Sequence, residues 1–230
     1  MPIFSESDFV AKVKTGESED VQNAVRENPS LANSKDSNGI SAVMLAVYHG
    51  HRALAEWLAD HGANPNFFEA CALGRAEVVR QLLRQDPALA SAYSPDGFQG
   101  LGLASFFGNA DVVRALLDAG ADPNSRSRNL MRVFPVHSAA ANRNPGAALE
   151  IIRLLVTQGA DVNVVQHGGW TPLQEAAAHG NTELVEFLLA NGADQGAKAE
   201  NGKTALDLAT EGNHADTIAI LKTSITAGRH

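Results

Sequence analysis

The sequence predicts an all-α chain, a solenoid of about seven stacked helix–turn–helix units with projecting turns. Two observations carry that prediction. The first is the stretch from Trp170 to Asn191, in which one complete unit is spelled out junction by junction. The second is the recurrence of its junction residues along the chain. Gly-Ala-Asp or Gly-Ala-Asn returns at Gly62, Gly120, Gly159 and Gly192, and a helix-ending residue returns at Gly16, Gly50, Gly74, Gly108, Gly180 and Asn213. The steps between those helix ends are 34, 24, 34, 72 and 33 residues. The step of 72 holds two units, with Gly146 or a nearby residue taking the intermediate role.

Within the complete unit, the Thr171 hydroxyl can cap a helix whose first position is Pro172, where a missing N–H costs nothing. Leu173, Ala176 and Ala177 give that helix an apolar edge, and Gly180 ends it by accepting a left-handed backbone. A second helix follows, with Leu184, Val185, Leu188 and Leu189 on one stripe and Glu183 near its positively polarised start. Neither short helix can cover its own apolar face, so the unit must stack on others like it. A T-P-L-H tetrapeptide, an A-A-x-x-G helix end and a G-A-D-x-N return are the signature of the ankyrin-repeat family, which this chain resembles over nearly its whole length. The resemblance implies an ankyrin-repeat solenoid.

Residues 1–35 read as an N-terminal capping repeat, with Ser5 and Asp8 suited to a capping box and a second helix starting at Ser18. Residues 36–66 form a full repeat in which Ser41-Ala42-Val43-Met44 replaces the tetrapeptide; lacking its proline, this helix start is expected to be less well fixed. Residues 67–93 form a shortened, cap-like repeat that steps from Asn66 into the helix with no turn. A shift of 58 residues lays residues 67–124 on the first two repeats, so the first 124 residues read as a duplicated pair. The repeat at 94–124 places Gly100 and Gly102 where a helix should begin, which marks the weakest part of the stack. The repeat at 125–163 carries insertions before Phe134-Pro135-Val136-His137 and around Asn142 to Gly146, both expected on loops. Residues 164–194 are the complete unit, and 195–230 read as a C-terminal capping repeat with a polar tail from Thr223.

The net charge of −8, with acidic residues spread along the chain, argues against nucleic acid as a partner. Cys71 is the single cysteine and cannot form an intrachain disulfide, which fits a reducing compartment. The N-terminal residues lack a secretory pattern and no apolar run reaches membrane length, so the expectation is a soluble, cytoplasmic monomer without membrane contact. No phosphate loop, H-E-x-x-H, G-x-S-x-G or C-x-x-C occurs, and His49, His51 and His61 have no carboxylate or cysteine placed to complete a metal site. The reading is therefore a binder and not an enzyme, with no catalytic residue, metal or cofactor.

The family resemblance implies that the residues just before each tetrapeptide and just before the end of each first helix line a concave face. Here these include Ile40, Tyr48, His49, Ala72, Leu73, Phe98, Phe106, Phe107, Val133, Ala141, Asn142, Trp170 and His179. Exposed aromatics on one face are what protein interfaces use, and the implied function is a protein–protein interaction module that binds a partner protein or peptide there. Phe106 or Phe107 could instead fill space left by Gly100 and Gly102. Arg126, Arg128 and Arg132 stand on the insertion, expected beside Phe98 and Trp170, where they would grip an acidic or phosphorylated segment of the partner. A second reading, from another class, is a small-molecule or catalytic pocket built around the inserted loops of the fifth repeat; a closed cleft with converging His, Asp and Glu would favour it, and an open groove would favour the first.

Overall fold

A computed structural model describes residues 5–227, the last four by backbone alone. Fourteen α-helices lie among the described residues, and they pack in consecutive pairs. In order these are α1 (Glu6–Thr15) with α2 (Ser18–Glu27), α3 (Ala42–Tyr48) with α4 (Arg52–Asp60), and α5 (Phe67–Leu73) with α6 (Ala76–Gln85). Then come α7 (Gly100–Phe106) with α8 (Ala110–Asp118), α9 (Pro135–Ala140) with α10 (Pro145–Thr157), α11 (Pro172–Ala178) with α12 (Thr182–Ala190), and α13 (Ala205–Glu211) with α14 (Ala215–Ala227). The first helices of successive pairs pack in an unbroken row from α1 to α13, and the second helices do so from α6 to α14. This is a helical solenoid. Its only extended pairing among the described residues is two single bridges, Lys35 with Ser41 and Tyr93 with Gln99, each closing a projecting turn.

The 58-residue duplication is visible in the backbone. It relates the two bridges, the 3₁₀ turns Pro29–Asn33 and Pro87–Ser91, and the left-handed glycines Gly16 and Gly74, both at φ 78°. Buried side chains fall into two clusters. One joins α1 to α4 through Phe9, Val21 and Leu58, and the other runs from α5 onward through Leu116, Ile151, Leu173 and Leu188. Ala72 and Leu73 are buried in the first cluster, away from solvent, so they offer no open surface on the concave side.

Helix starts follow their capping residues. Thr171 and Gln174 form a capping box ahead of α11, and Asn66 and Glu69 form another ahead of α5, which is how the chain enters that helix with no turn before it. The start of α3 is better fixed than its missing proline suggests, because the Ser41 hydroxyl accepts the Met44 N–H and donates to Glu69. Gln99, ahead of α7, makes no side-chain cap. Gly146 does not end α9. It lies in the first turn of α10, and the end of α9 closes on Ala141 in ordinary helical conformation without a left-handed residue. The chain expected to be a tail from Thr223 is helical through Ala227, and residues 228–230 lie outside the described residues.

Helix ends are finished by the next pair. Over four of the helix-ending glycines sits a side chain from the following junction: His51 over Gly16, Asn109 over Gly74, Asn142 over Gly108 and His214 over Gly180. Each reaches back to a carbonyl left open by the last helical turn. His51 bonds to the Lys14 carbonyl at 3.1 Å, Asn142 to that of Phe106 at 2.6 Å and His214 to that of Ala178 at 3.0 Å. Asn109 serves two at once, the carbonyls of Cys71 at 2.9 Å and Ala72 at 2.8 Å. Replacing Asn109 with alanine is expected to cost about 2 kcal/mol, since the Ala72 carbonyl loses its donor and that of Cys71 keeps only a long bond from the Gly74 N–H at 3.4 Å. Asn109→His, which imitates the other junctions, should recover part of it. Urea titration of the three proteins checks this, and an alanine variant within about 0.3 kcal/mol of wild type would show that water replaces the amide.

Candidate functional site

A well-formed apolar cleft lies along the row of first helices. It has a volume of about 490 Å³ and lies between α3, α7, α9, α11 and the chain leading into α9. Its floor and near wall come from Tyr48, Phe98, Leu103, Phe106 and Phe107, and its far wall from Met131 and Val133 of the insertion. The aromatic rings are in contact. Phe106 and Phe107 meet edge to face with centroids 5.0 Å apart, and Tyr48 lies 6.2 Å from Phe107. Phe107 and Phe98 pack partly on the first core cluster. Phe106 does not, and is 47% exposed.

The polar groups of the cleft are few and held. Tyr48 Oη donates to Asp96 Oδ2 at 2.5 Å, and burial together with that carboxylate pushes the phenol pKa up. His137, 1% exposed, donates from Nε2 to the Trp170 carbonyl at 2.9 Å. Burial pulls its pKa down to about 4, its backbone hydrogen bonds only partly offsetting that. Glu175 is raised by burial, with His179 acting weakly the other way. Gln166 donates to Glu175 at 3.4 Å. Cys71 is buried beneath Gly100, away from the cleft, and burial raises its thiol, so it is held as the unreactive protonated form. Among the described residues no three His, Cys, Asp or Glu side chains gather as a metal set.

The residues singled out in the sequence separate into three groups. Tyr48, Phe98, Phe106 and Phe107 converge on the cleft. Ile40, His49, Asn142, Trp170 and His179 do not line it: Ile40 packs on the first core cluster, His49 bonds to the Leu45 carbonyl, Asn142 to that of Phe106, and His179 to that of Glu175. Trp170 contributes its carbonyl, which accepts from both Gln166 and His137. The inserted turn does lie next to those of Phe98 and Trp170, with the Arg128 N–H on the Gly97 carbonyl and the His167 N–H on the Met131 carbonyl, but neither aromatic shares a cleft with Arg126, Arg128 and Arg132. The three arginines line a separate, larger cleft on the other side of the insertion, where the Arg128 guanidinium stacks 3.8 Å from the centre of the Tyr93 ring. Sequence reasoning passed over Asp96, Met131, Gln166 and Glu175. Of these, only Met131 left a signal, as one of the apolar residues, with Leu130 and Val133, that end an otherwise polar insertion.

The "Ankyrin repeats (3 copies)" family model matches residues 135–227, and the "Ankyrin repeat" model matches residues 38–69 and 100–128. The chain belongs to the ankyrin-repeat family. Ankyrin repeats are generally protein–protein interaction modules and are typically non-catalytic. Among curated proteins, the chain is 31% identical over 81% of its length to the Caenorhabditis elegans transient receptor potential cation channel subfamily A member 1 homolog. It is 30% identical over 77% of its length to the Rattus norvegicus ankyrin repeat and SAM domain-containing protein 6. With the Homo sapiens neurogenic locus notch homolog protein 2 it shares 34% identity over 64% of its length. It spans only 16%, 17% and 6% of these three proteins. No helix among the described residues is long and apolar enough to cross a membrane.

Proposed function

We propose that this chain is a cytoplasmic protein-interaction module that takes an apolar side chain of a partner protein or peptide into the concave cleft. The observation that carries the reading is Phe106. A phenylalanine half in water, edge to face on Phe107 and opposite Met131, contributes little to the stack and is placed to be covered by something else. A cleft of about 490 Å³ suits one or two large apolar side chains. Its polar wall, with Asp96, Gln166 and Glu175, supplies orientation. The Asp, His and Glu of the cleft are each engaged separately, Asp96 by Tyr48, His137 by the Trp170 carbonyl and Glu175 by Gln166, and do not converge as a catalytic pocket would require, which favours the binding reading over that alternative. The module acts as a monomer, and an acidic segment of the partner meets the arginines across the insertion.

Selection of a random peptide library on the wild-type protein tests this. Enriched peptides are expected to share a Leu, Met or aromatic anchor, and to shift the amide resonances of Phe98, Phe106, Phe107 and Val133. Phe106→Ser should weaken them about thirtyfold, in the range of an interface anchor, while moving stability by no more than about 0.5 kcal/mol. Peptides that bind the variant as well as the wild type would place the contact elsewhere.

A further inference from the structure

We propose that the cleft on the opposite side of the insertion is a second binding site, specific for a phosphorylated side chain in a partner peptide. It rests on the protein-binding reading above but uses none of the residues of the apolar cleft. Arg126, Arg128 and Arg132 all line it, together with Tyr93, Gln99 and Ser125. In a chain of net charge −8, none of these three arginines lies within ion-pairing distance of a carboxylate among the described residues. Asp122 also lines the cleft, with its carboxylate turned to the Asn124 N–H at 2.9 Å.

The loop that presents the arginines is preorganised. Arg128 is anchored twice, by its guanidinium stacking on the Tyr93 ring and by its backbone N–H donating to the Gly97 carbonyl at 2.8 Å. Ser127 donates to Asn129 at 2.9 Å and accepts the Val133 N–H at 2.8 Å, and Asn129 donates to the Asp96 carbonyl at 3.1 Å. Arg132 sits in the left-handed region at φ 53°, a conformation a non-glycine residue holds only when its surroundings impose it. A guanidinium held as that of Arg128 is, on an ordered loop that presents two more arginines, binds a phosphate dianion through paired N–H donors with less side-chain freedom to lose.

Two further observations point to a peptide as the carrier. Gln99 Oε1 and Ser125 Oγ are buried in the wall of this cleft without hydrogen-bond partners, and a peptide backbone brings the N–H donors such acceptors lack. Leu130, 89% exposed, stands on the same rim, and a large apolar side chain so placed is covered by an apolar neighbour of the phosphorylated residue more readily than by a free anion.

The probes are capped hexapeptide pools, degenerate except for a central phosphoserine, phosphotyrosine, serine or glutamate, titrated into isotope-labelled protein alongside inorganic phosphate and a single-stranded oligonucleotide. One of the phosphorylated pools is expected to bind at least about tenfold tighter than the serine and glutamate pools, with shifts at Tyr93 and from Ser125 to Arg132. Changing the three arginines to serine should abolish it, Arg128→Lys should weaken it by loss of stacking and of the fork, and Phe106→Ser should leave it intact. Equal binding of phosphorylated and serine pools overturns the proposal, as does binding of phosphate or oligonucleotide as tight as that of the peptides. Loss of phosphopeptide binding in Phe106→Ser would overturn the independence of the two sites, whereas failure of the apolar cleft to select peptides leaves this site standing.

Discussion

Replacement of Gly100 by valine is expected to destabilise the protein by about 3 kcal/mol, whereas replacement of Gly102 by alanine, two residues along the same helix, should stabilise it by up to about 1 kcal/mol. Both are helical glycines, so backbone freedom argues for replacing either. The difference lies in what a side chain would meet. A Cβ at Gly100 would lie 2.9 Å from Cys71 Sγ, closer than real contacts come, and 3.0 Å from Phe67 Cε1, tighter than most. Cys71 and Phe67 are themselves buried at the junction of α5 and α7, so neither can move aside into solvent. At Gly102 the nearest group beyond the helix is Ser138 Oγ at 3.8 Å, an ordinary contact. Gly100→Ala, with one carbon added, should lose about 1 kcal/mol net, the overlap outweighing the gain in helix propensity. If the overlap is the cause, Cys71→Ala should cost less in the Gly100→Ala background than in wild type, a coupling that a double-mutant cycle reads directly. Additive losses, or Gly100→Val near wild type in urea titration, would show that the two helices can separate without penalty.

This pair also shows where sequence reasoning stops. Two glycines at the start of a helix read as a weakness, and the sequence alone does not reveal that one admits the backbone of α7 onto Cys71 while the other merely opens the cleft. The helices themselves were legible, because Thr171 with Pro172, Asn66 with Glu69, and the left-handed glycines each answer a local need of the backbone that only a few residue types meet. The convergence of Tyr48, Phe98, Phe106 and Phe107 was legible for a related reason: Phe98, Phe106 and Phe107 hold the face positions of one repeat, Tyr48 holds the position of Phe106 in an earlier one, and stacking brings such positions onto one face. Nothing periodic governs the insertion. The direction of its arginines depends on the Ser127 and Asn129 side chains and on a left-handed Arg132, and these place Arg128 on Tyr93 and not on Phe98. Gly146 misled because an insertion had moved it past the end of one helix into the beginning of the next.

Lowering the pH from 7.5 to 4.5 should remove most of a stabilising contribution that reaches roughly 3 kcal/mol, and the loss should belong to His137. The imidazole is almost fully buried and its pKa falls from the ordinary 6.5 to about 4, so at neutral pH it is held uncharged. Once unfolded, the same side chain regains its ordinary affinity for protons. Between pH 6.5 and about 4 the unfolded chain therefore binds a proton that the folded chain refuses; the contribution is complete above that window and declines as the pH falls through it. Each tenfold difference in proton affinity is worth about 1.4 kcal/mol, which sets the size of the effect. The depressed carboxyls of Glu17, Asp20, Asp36 and Asp207 lose their contributions only at lower pH, as the pH drops through the carboxylate range. Glu175, raised by burial, acts in the opposite sense and favours the folded state on protonation. The upper part of the acid limb, from about pH 6.5 to 5, thus separates His137 from the depressed carboxyls, and the sign of the change separates it from Glu175. His137→Gln keeps an N–H that can donate to the Trp170 carbonyl but cannot titrate. It should cost about 1 kcal/mol at pH 7.5 and flatten that part of the curve. Carbon-detected titration of the wild-type imidazole should show no protonation until well below pH 6. A His137 resonance titrating near 6.5, or an acid limb unchanged by the substitution, would mean that water reaches the ring and that the wall of the cleft beside Ser138 opens in solution.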